Sequence, residues 1–363
     1  MKQTFLTRLI LALSIASVTA LSNASTPILK LVSNIRPSVV STVPPNGDEN
    51  PYGVAYVPTG FPSGGLLNPG DVLVSNFNNS ANLQGEGGTI VRITQAGTRS
   101  VFYQGRGLGL TTALGVLRTG FVVVGNVPTQ DGTINTIGQG SLIILDKLGR
   151  LVSTLRSAIF LDGPWDLAIH EVGPFAQVYV SNVLSGTVSR IDLLLDKGFS
   201  VLDMAEIASG YDREPNAAAL ILGPTGLAYD ANQDLLYVAS TADNAVYAIP
   251  NASWTGADTK GVLVYEDPAH LRGPLALILA PGGDLIAANG DAVNANAMQP
   301  SEMVEFTPNG QFVAQYSVDK TGEGGAFGLA FMRTPTGLQL AAVDDVTNTL
   351  KLWNVNLNPR PGP

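Results

Sequence analysis

The sequence contains few side chains suited to acid–base or nucleophilic chemistry. It has two histidines, His170 and His270, and no cysteine, so cysteine nucleophiles, thiolate metal sites and disulfides are excluded. His170 lies in the strand-like run LAIHEV, whereas His270 closely follows Asp267 and is therefore a candidate for proton transfer. Asp166, beside Trp165 in GPWDLAI, is a second catalytic candidate, although capping of a turn would suit it equally. No serine-hydrolase elbow, HExxH motif or phosphate-binding loop occurs.

A short polar side chain ends an apolar run at six regularly spaced places. Runs such as VYVSN and LIAAN show the pattern, and successive ends are 49 to 58 residues apart. The six positions are Asn76, Asn126, Asn182, Ser240, Asn289 and Asp344. Such side chains accept hydrogen bonds from turn amides, and a circle of their oxygens would equally suit a calcium ion. The second interpretation makes Asn182 and Asp344 candidate metal ligands.

A second series begins the strand that precedes each of these ends. Each opening starts with Gly or Asn, as in GPWDLAI and GPTGLAY, and the series stands two residues later. Its members are Tyr52, Thr111, Trp165, Thr225, Leu275 and Phe327. If the strands surround a channel, we expect this series to contact a ligand at the channel mouth, together with Asn126 and Asn289. Aromatic rings there favour an apolar or planar ligand, or they close the channel.

The elements that must position these residues are short strands in a repeated unit. Glycine and proline separate apolar runs throughout the chain, and each unit of about 56 residues contains up to four runs. This period predicts an all-β, six-bladed β-propeller, with an open sandwich or two β domains as the alternative. The predicted blades span residues 50–105, 107–157, 163–209, 223–268, 273–319 and 325–355. The last blade lacks one strand, so we expect a strand from 28–43 to complete it within a single domain, 25–357, followed by a tail, 358–363.

Composition and the first residues predict the compartment. Lys2 and Arg8 precede the uncharged stretch 9–21, which is typical of a secretory signal peptide over residues 1–24. No later stretch is long and apolar enough for a membrane span, so we expect a secreted or periplasmic protein without a membrane anchor. The net charge is −9 and no cluster of Lys or Arg occurs, which argues against nucleic acid as a partner.

Four long polar insertions should emerge on one face of such a ring. They cover residues 77–88, 127–140, 209–222 and 290–301, and all follow second strands or link two blades. Loops gathered on one face of a rigid scaffold usually carry recognition. We therefore expect the binding face at the end of the channel where the second series lies.

The unit GPTGLAYDANQDLLYVASTADNAVYAI, residues 223–249, resembles the NHL repeat. The chain is also distantly similar to the gluconolactonase and senescence-marker-protein group, a resemblance that implies a six-bladed propeller and a calcium-dependent lactonase activity. The stretch Glu49-Asn50-Pro51-Tyr52 is similar to that group's Glu-Gly-Pro-x-Trp start, which implies that Glu49 binds the metal. The asparagines that the group places at the strand openings have no match in Tyr52, Thr111, Trp165, Thr225, Leu275 and Phe327.

Three functions follow from these observations. The leading prediction is an exported binding module that takes a small molecule or an envelope or extracellular protein on the loop-rich face, without turnover. The alternative is a calcium-type, metal-dependent hydrolase or lactonase, with Glu49, Asp166, Asn182 and Asp344 around the ion. The third is a structural envelope component without a ligand.

Overall fold

The structure is a computed structural model that describes residues 26–256, 259–290, 302–319 and 325–357. Within these ranges the chain forms six four-stranded antiparallel sheets. The first strand of each sheet contacts the first strand of the next, and the sixth contacts the first, so the sheets close into a ring around a channel. The predicted all-β, six-bladed β-propeller is therefore confirmed. The predicted signal peptide, the tail 358–363 and most of the insertion 290–301 lie outside the described residues.

The first half of the chain contains a short helix and three sheets. In chain order its elements are α1 (Ile28–Val32), β1 (Ser38–Ser41), β2 (Glu49–Tyr56), β3 (Val72–Asn78), β4 (Thr89–Ile93), β5 (Arg99–Gln104), β6 (Leu110–Val116), β7 (Val122–Asn126), a 3-10 turn (Ile134–Thr136), β8 (Ser141–Leu145), β9 (Leu151–Leu155), β10 (Pro164–Val172), β11 (Phe175–Asn182), β12 (Thr187–Leu194) and β13 (Ser200–Ala208). Blades one, two and three are β2–β5, β6–β9 and β10–β13.

The second half begins with a small hairpin and contains the other three sheets. Its elements are β14 (Glu214–Asn216), β15 (Leu220–Leu222), β16 (Pro224–Asp230), β17 (Leu235–Ser240), β18 (Ala245–Pro250), β19 (Val262–Tyr265), β20 (Pro274–Leu279), β21 (Leu285–Asn289), β22 (Glu302–Phe306), β23 (Phe312–Ser317), β24 (Ala326–Thr334), β25 (Gly337–Asp344) and β26 (Thr349–Asn356). Blades four and five are β16–β19 and β20–β23. No helix in the described part of the chain is long and apolar enough to cross a membrane.

The sixth blade combines both ends of the propeller. Strand β1 pairs antiparallel with β26, with Ser38 opposite Leu352 and Ser41 opposite Thr349. The outermost strand of this sheet therefore comes from a segment that precedes blade one. The pairing covers the edge of β26, which would otherwise present unpaired backbone groups to other chains.

The apolar run Ile28–Val32 is a helix, whereas its composition suggested a strand. Ile28, Leu29 and Val32 are buried against blades five and six. The Glu305 carboxylate accepts the N–H groups of Ile28 and Leu29 at 2.9 and 2.8 Å, and so satisfies two donors at the start of the helix. A five-residue apolar run fits either structure, and this buried carboxylate favours the helix.

The first strand of every blade has an interrupted pairing with its second strand. The breaks fall between Pro51 and Val54, Leu110 and Leu114, Pro164 and Leu167, Pro224 and Leu227, Pro274 and Ala276, and Ala326 and Leu329. Such irregularities leave residues outside the ladder and bend the strand locally. Each member of the predicted inner series immediately follows the first residue of one of these breaks.

Side-chain hydroxyls join neighbouring blades at the same level. Ser75 Oγ donates to Thr111 O at 2.9 Å, and Ser181 Oγ donates to Thr225 O at 2.7 Å. Thr225 Oγ1 donates to Pro274 O at 2.9 Å. These buried bonds fix the first strands relative to one another around the channel.

Candidate functional site

A cavity of about 380 Å³ lies at the end of the channel where the first strands begin. Of the predicted inner series, Tyr52, Trp165, Thr225, Leu275 and Phe327 line it. Thr111 does not line it; its buried hydroxyl donates to Pro164 O at 2.9 Å.

Aromatic rings form the floor of this cavity. The Tyr52 ring stacks on Phe327 with centroids 4.7 Å apart and on Phe77 at 4.6 Å. The Trp165 ring meets Tyr52 at 6.1 Å and Phe77 at 5.5 Å, both edge to face. All four side chains are buried, so the floor is a packed layer rather than a set of mobile rings.

An oxygen-rich cluster, consisting of Glu49, Asn50, Asn78 and Gln84, forms one side of the cavity. Glu49 is the partner of Asn78 in the pairing of β2 with β3, and Asn78 forms an isolated bridge with Gln84. Directly opposed residues place their Cβ atoms about 4.5–5.5 Å apart. The register of the first blade and the insertion after β3 therefore bring these side chains together.

Three oxygens of the oxygen-rich cluster have no hydrogen-bond donor among the described residues. They are Asn50 Oδ1, Asn78 Oδ1 and Gln84 Oε1, and all three are sealed from solvent. The amide nitrogens are engaged elsewhere: Asn78 Nδ2 donates to Asn82 Oδ1 at 2.5 Å and Gln84 Nε2 to Ala218 O at 2.6 Å. Each such buried acceptor costs about 1–3 kcal/mol when it has no partner.

The carboxylate and amide oxygens of the cluster are of the kind that ligate a hard divalent cation. Calcium takes carboxylate and amide oxygens at about 2.3–2.6 Å. Glu49 supplies the one carboxylate of the cluster, and no three His, Asp or Glu side chains group as a metal site in the described ranges. Few charged ligands indicate weak affinity, in the range of about 0.1–1 mM.

The strand-end side chains do not face the cavity, contrary to the expectation of a circle of metal or ligand contacts. Asn126, Asn182 and Asn289 are buried and hold the opening of their own blade. Their Oδ1 atoms accept the N–H groups of Gly109 at 2.9 Å, Asp162 at 3.1 Å and Arg272 at 2.9 Å. The amide oxygens are therefore used within the fold, as a turn-capping role requires.

Asp344 is likewise occupied by its own blade. Its Oδ2 lies 2.6 Å from Lys351 Nζ and accepts the Thr347 hydroxyl at 2.6 Å. The neighbouring Asp345, which the sequence pattern did not single out, lines the cavity instead. Asn182 and Asp344 are thus not placed around one ion with Glu49.

The Asp166 side chain lines a separate part of the channel. A second cavity of about 370 Å³ is lined by the first strands of all six blades, and Asp166 is the one ionisable side chain among its described lining. Its oxygens accept the N–H groups of Leu167 at 2.8 Å and Leu227 at 3.0 Å. Burial raises the pKa of the Asp166 carboxyl to about 7, although these two bonds favour the charged form. The aromatic floor lies between Asp166 and Glu49.

Neither histidine lies in the cavity. His170 lines a groove at the opposite end of blade three, where its ring lies 5.1 Å from Tyr229. His270 Nδ1 lies 2.7 Å from Asp267 Oδ2, and its ring stacks on Phe312 of the outer strand β23 at 3.8 Å. His270 thus has the orienting carboxylate expected of a base, but it stands at the rim, away from the channel.

Three insertions converge on the face that the sequence predicts. The segment 77–88 supplies Asn78, Asn82 and Gln84 to the lining, and the segment 209–222 supplies Ala218 and Ile221 among others. In the segment 127–140, the Thr129 hydroxyl donates to Gln84 O at 2.6 Å. The insertion after β21 contributes Gly290, and residues 291–301 lie outside the described residues.

The sequence pattern missed Asn50, Asn78 and Gln84. Asn50 has a left-handed backbone, with φ 58°, that asparagine tolerates better than most residues. Its position directly after Glu49 was visible, and so was the abundance of amides in the segment 77–88. Their meeting depends on the register of β2 and β3, which the sequence does not display.

No family model matches this chain, and no curated protein resembles it closely enough to be recognised by sequence. Solved structures do resemble its fold. A gluconolactonase from Xanthomonas campestris is 14% identical, with a TM-score of 0.55, and the match covers 91% of this chain and 94% of that one. The calcium-binding protein regucalcin from Agrobacterium tumefaciens is 14% identical, with a TM-score of 0.52 and coverage of 89% and 96%. A luciferin-regenerating enzyme is 9% identical, with a TM-score of 0.52 and coverage of 88% and 97%.

These comparisons extend over nearly the whole of each propeller. At such low identity they bear on architecture, and they agree with the strand order and closure described above. The chain is a six-bladed β-propeller of the architecture shared by gluconolactonase and regucalcin.

Proposed function

We propose that the chain is a divalent-cation-dependent hydrolase of esters or lactones, acting in the cavity at the channel mouth. The observation that carries this proposal is the oxygen-rich cluster, in which three sealed amide oxygens without donors stand beside the Glu49 carboxylate. Two structural neighbours support it, because one is a gluconolactonase and the other is a calcium-binding protein.

In this proposal Glu49, Asn50, Asn78 and Gln84 hold the ion. A divalent cation held there would polarise an acyl carbonyl and lower the pKa of a bound water. Asp345, the other described carboxylate in the lining, accepts a proton from the attacking water. The water oxygen would bond to the acyl carbon, the ester C–O bond would break, and Asp345 would pass the proton it took from water to the leaving oxygen. The packed aromatic floor holds the substrate at this level and keeps it out of the channel below.

The test combines cation binding with hydrolysis of a panel of lactones and aryl esters. We expect calorimetry to show one calcium ion per chain with a Kd of about 0.1–1 mM. Chelation should abolish hydrolysis, and calcium should restore it. Glu49→Gln should weaken calcium binding at least about tenfold, because it removes the one carboxylate of the cluster. Asp345→Asn should retain calcium binding and lower kcat by about 10²–10⁴.

Glu214→Gln is the matched control, since Glu214 is an exposed carboxylate in the segment 209–222 that does not line the cavity. It should leave both readouts unchanged. Absence of stoichiometric cation binding in the wild type would overturn the proposal. Cation binding without turnover of any ester would instead support the binding module that takes a small molecule or a protein partner.

We further propose that the protein is exported, to the periplasm or to the medium. The support for export is the signal-peptide pattern of residues 1–24, which lies outside the described residues.

A further inference from the structure

The cavity at the channel mouth has a second side that differs chemically from the oxygen-rich cluster. We call it the apolar wall. It consists of the aromatic floor residues Tyr52, Trp165 and Phe327 together with Leu275, Ile221, Leu222 and Val346. These residues come from five places in the chain, namely blades one, three, five and six and the hairpin strand β15.

The threonine hydroxyls near the apolar wall are already engaged. Thr225 Oγ1 and Thr241 Oγ1 lie 3.0 Å apart and both donate to Pro274 O, at 2.9 and 2.7 Å. Trp165 Nε1 is sealed from solvent, and it has no acceptor among the described residues. A substrate hydroxyl pressed against this wall would exchange its water partners for few protein partners among the described residues, which weakens binding.

Apolar groups gain affinity in the same place. Each methylene transferred from water to an apolar wall contributes about fourfold in affinity. The cavity volume of about 380 Å³ is near the lower end of the range for small-molecule sites, so the gain must stop once the space is filled.

We propose that the substrate is a lactone or ester with an apolar alkyl or aryl substituent, and that polyhydroxylated lactones are poor substrates. This inference rests on the proposed function and specifies its substrate class. The reacting carbonyl meets the oxygen-rich cluster, and the substituent lies on the apolar wall.

The experiment uses the full chain with calcium and a series of δ-lactones whose alkyl substituent grows from hydrogen to nonyl. In the wild type we expect kcat/KM to rise about three- to fourfold per methylene and then level off. D-Glucono-δ-lactone, whose ring carries hydroxyls, should react at least about tenfold more slowly than an alkyl lactone of similar size.

Val346→Ser tests the apolar wall without disturbing the core, since Val346 is 45% exposed. It should lower kcat/KM for the long-chain lactones about three- to tenfold more than for the unsubstituted lactone. Val262→Ser is the matched control, because Val262 is 63% exposed on the outer strand β19 and lies far from the cavity. It should leave the whole series unchanged.

Binding of 2-alkylcyclohexanones, which have no ester bond to cleave, separates the two proposals. If no lactone is hydrolysed but ketone affinity rises with chain length and falls in Val346→Ser, the hydrolase proposal fails and the ligand class stands. If lactones are hydrolysed at rates independent of chain length, or gluconolactone is preferred, the ligand class is overturned and the hydrolase stands. Ketone affinity that is flat with chain length would also overturn the ligand class.

Discussion

At the scale of single residues, Asp166 illustrates how the channel alters an ordinary carboxylate. It lies among apolar side chains from several blades and accepts two backbone N–H groups, one from Leu167 on its own strand and one from Leu227 on the neighbouring blade. Desolvation outweighs these bonds, so its pKa rises from 3.8 to about 7. The proton therefore binds more tightly to the folded chain than to the unfolded chain.

This difference predicts a pH-dependent contribution to stability. Below about pH 4 Asp166 is protonated in both states, and its stabilising contribution is fully present. As pH rises towards 7 the unfolded chain loses the proton first, so the contribution is lost. The unfolding free energy of the wild type minus that of Asp166→Asn should fall by about 2–4 kcal/mol between pH 4 and pH 8.

Urea unfolding at several pH values measures this difference. Asp203→Asn, which removes an exposed carboxylate on the outer strand β13, is the control and should give a difference that is flat with pH. A flat difference for Asp166→Asn would show that the channel does not hold this proton.

The strand-end asparagines show why residue type alone did not locate the site. Asn182 and Asn78 are both buried asparagines at or near the end of a second strand. The Asn182 oxygen accepts an N–H at 3.1 Å, whereas the Asn78 oxygen has no donor among the described residues. The atoms that surround each amide decide between capping and ligand binding, and a sequence pattern does not contain them.

At the scale of elements, α1 depends on one buried side chain. Glu305 on β22 is 1% exposed, and its two oxygens accept the first two N–H groups of the helix. Burial raises the pKa of Glu305, and the helix N–H groups oppose this shift. The carboxylate therefore links the N-terminal segment to blade five.

Replacing this link should release the helix. Glu305→Ala leaves two buried N–H groups without acceptors, and we expect a loss of about 2–5 kcal/mol in unfolding free energy. Limited proteolysis should cut between residues 26 and 37 faster than in the wild type. Glu266→Ala removes an exposed carboxylate near the end of β19 and should change neither measurement. Equal proteolysis of Glu305→Ala and wild type would contradict the role assigned to Glu305.

At the scale of the whole molecule, the pairing of β1 with β26 joins the two ends of the ring. Thr42 extends the join, because its hydroxyl donates to Asn348 O at 2.9 Å and its carbonyl accepts Asn76 Nδ2 at 3.1 Å. The N-terminal segment thus contacts blade six and blade one together.

Two truncated chains isolate this closure. A chain that begins at residue 34 lacks α1 and keeps β1, whereas a chain that begins at residue 44 lacks both. The second should unfold with about 4 kcal/mol less free energy than the first, at roughly 1 kcal/mol for each of the four paired residues. Urea titration measures this difference, and light scattering should show that the exposed edge of β26 promotes association. Similar behaviour of the two chains would show that the ring closes without β1.

The fold could be predicted from the sequence because a sequence repeat indicates repeated structural units. Six openings and six strand ends at similar spacing require equivalent units, and Tyr52, Trp165 and Phe327 reached the channel mouth because they occupy equivalent positions. Only part of the candidate site, its aromatic residues, could be predicted in this way. The oxygen-rich cluster lies in a single blade and its insertion, so a pattern that recurs in all six blades does not reveal it.

Because of the breaks in the first-strand pairing, the residues of the inner series that face the channel mouth are not the residues whose backbone bonds hold each sheet together. A residue inside a break has no partner across the ladder, so its replacement leaves the backbone bonds of the blade in place. Each blade contributes one such position, and five of the six line the cavity at the channel mouth. A change at one of these points therefore alters the surface that an incoming molecule meets without removing a bond between strands of the same sheet.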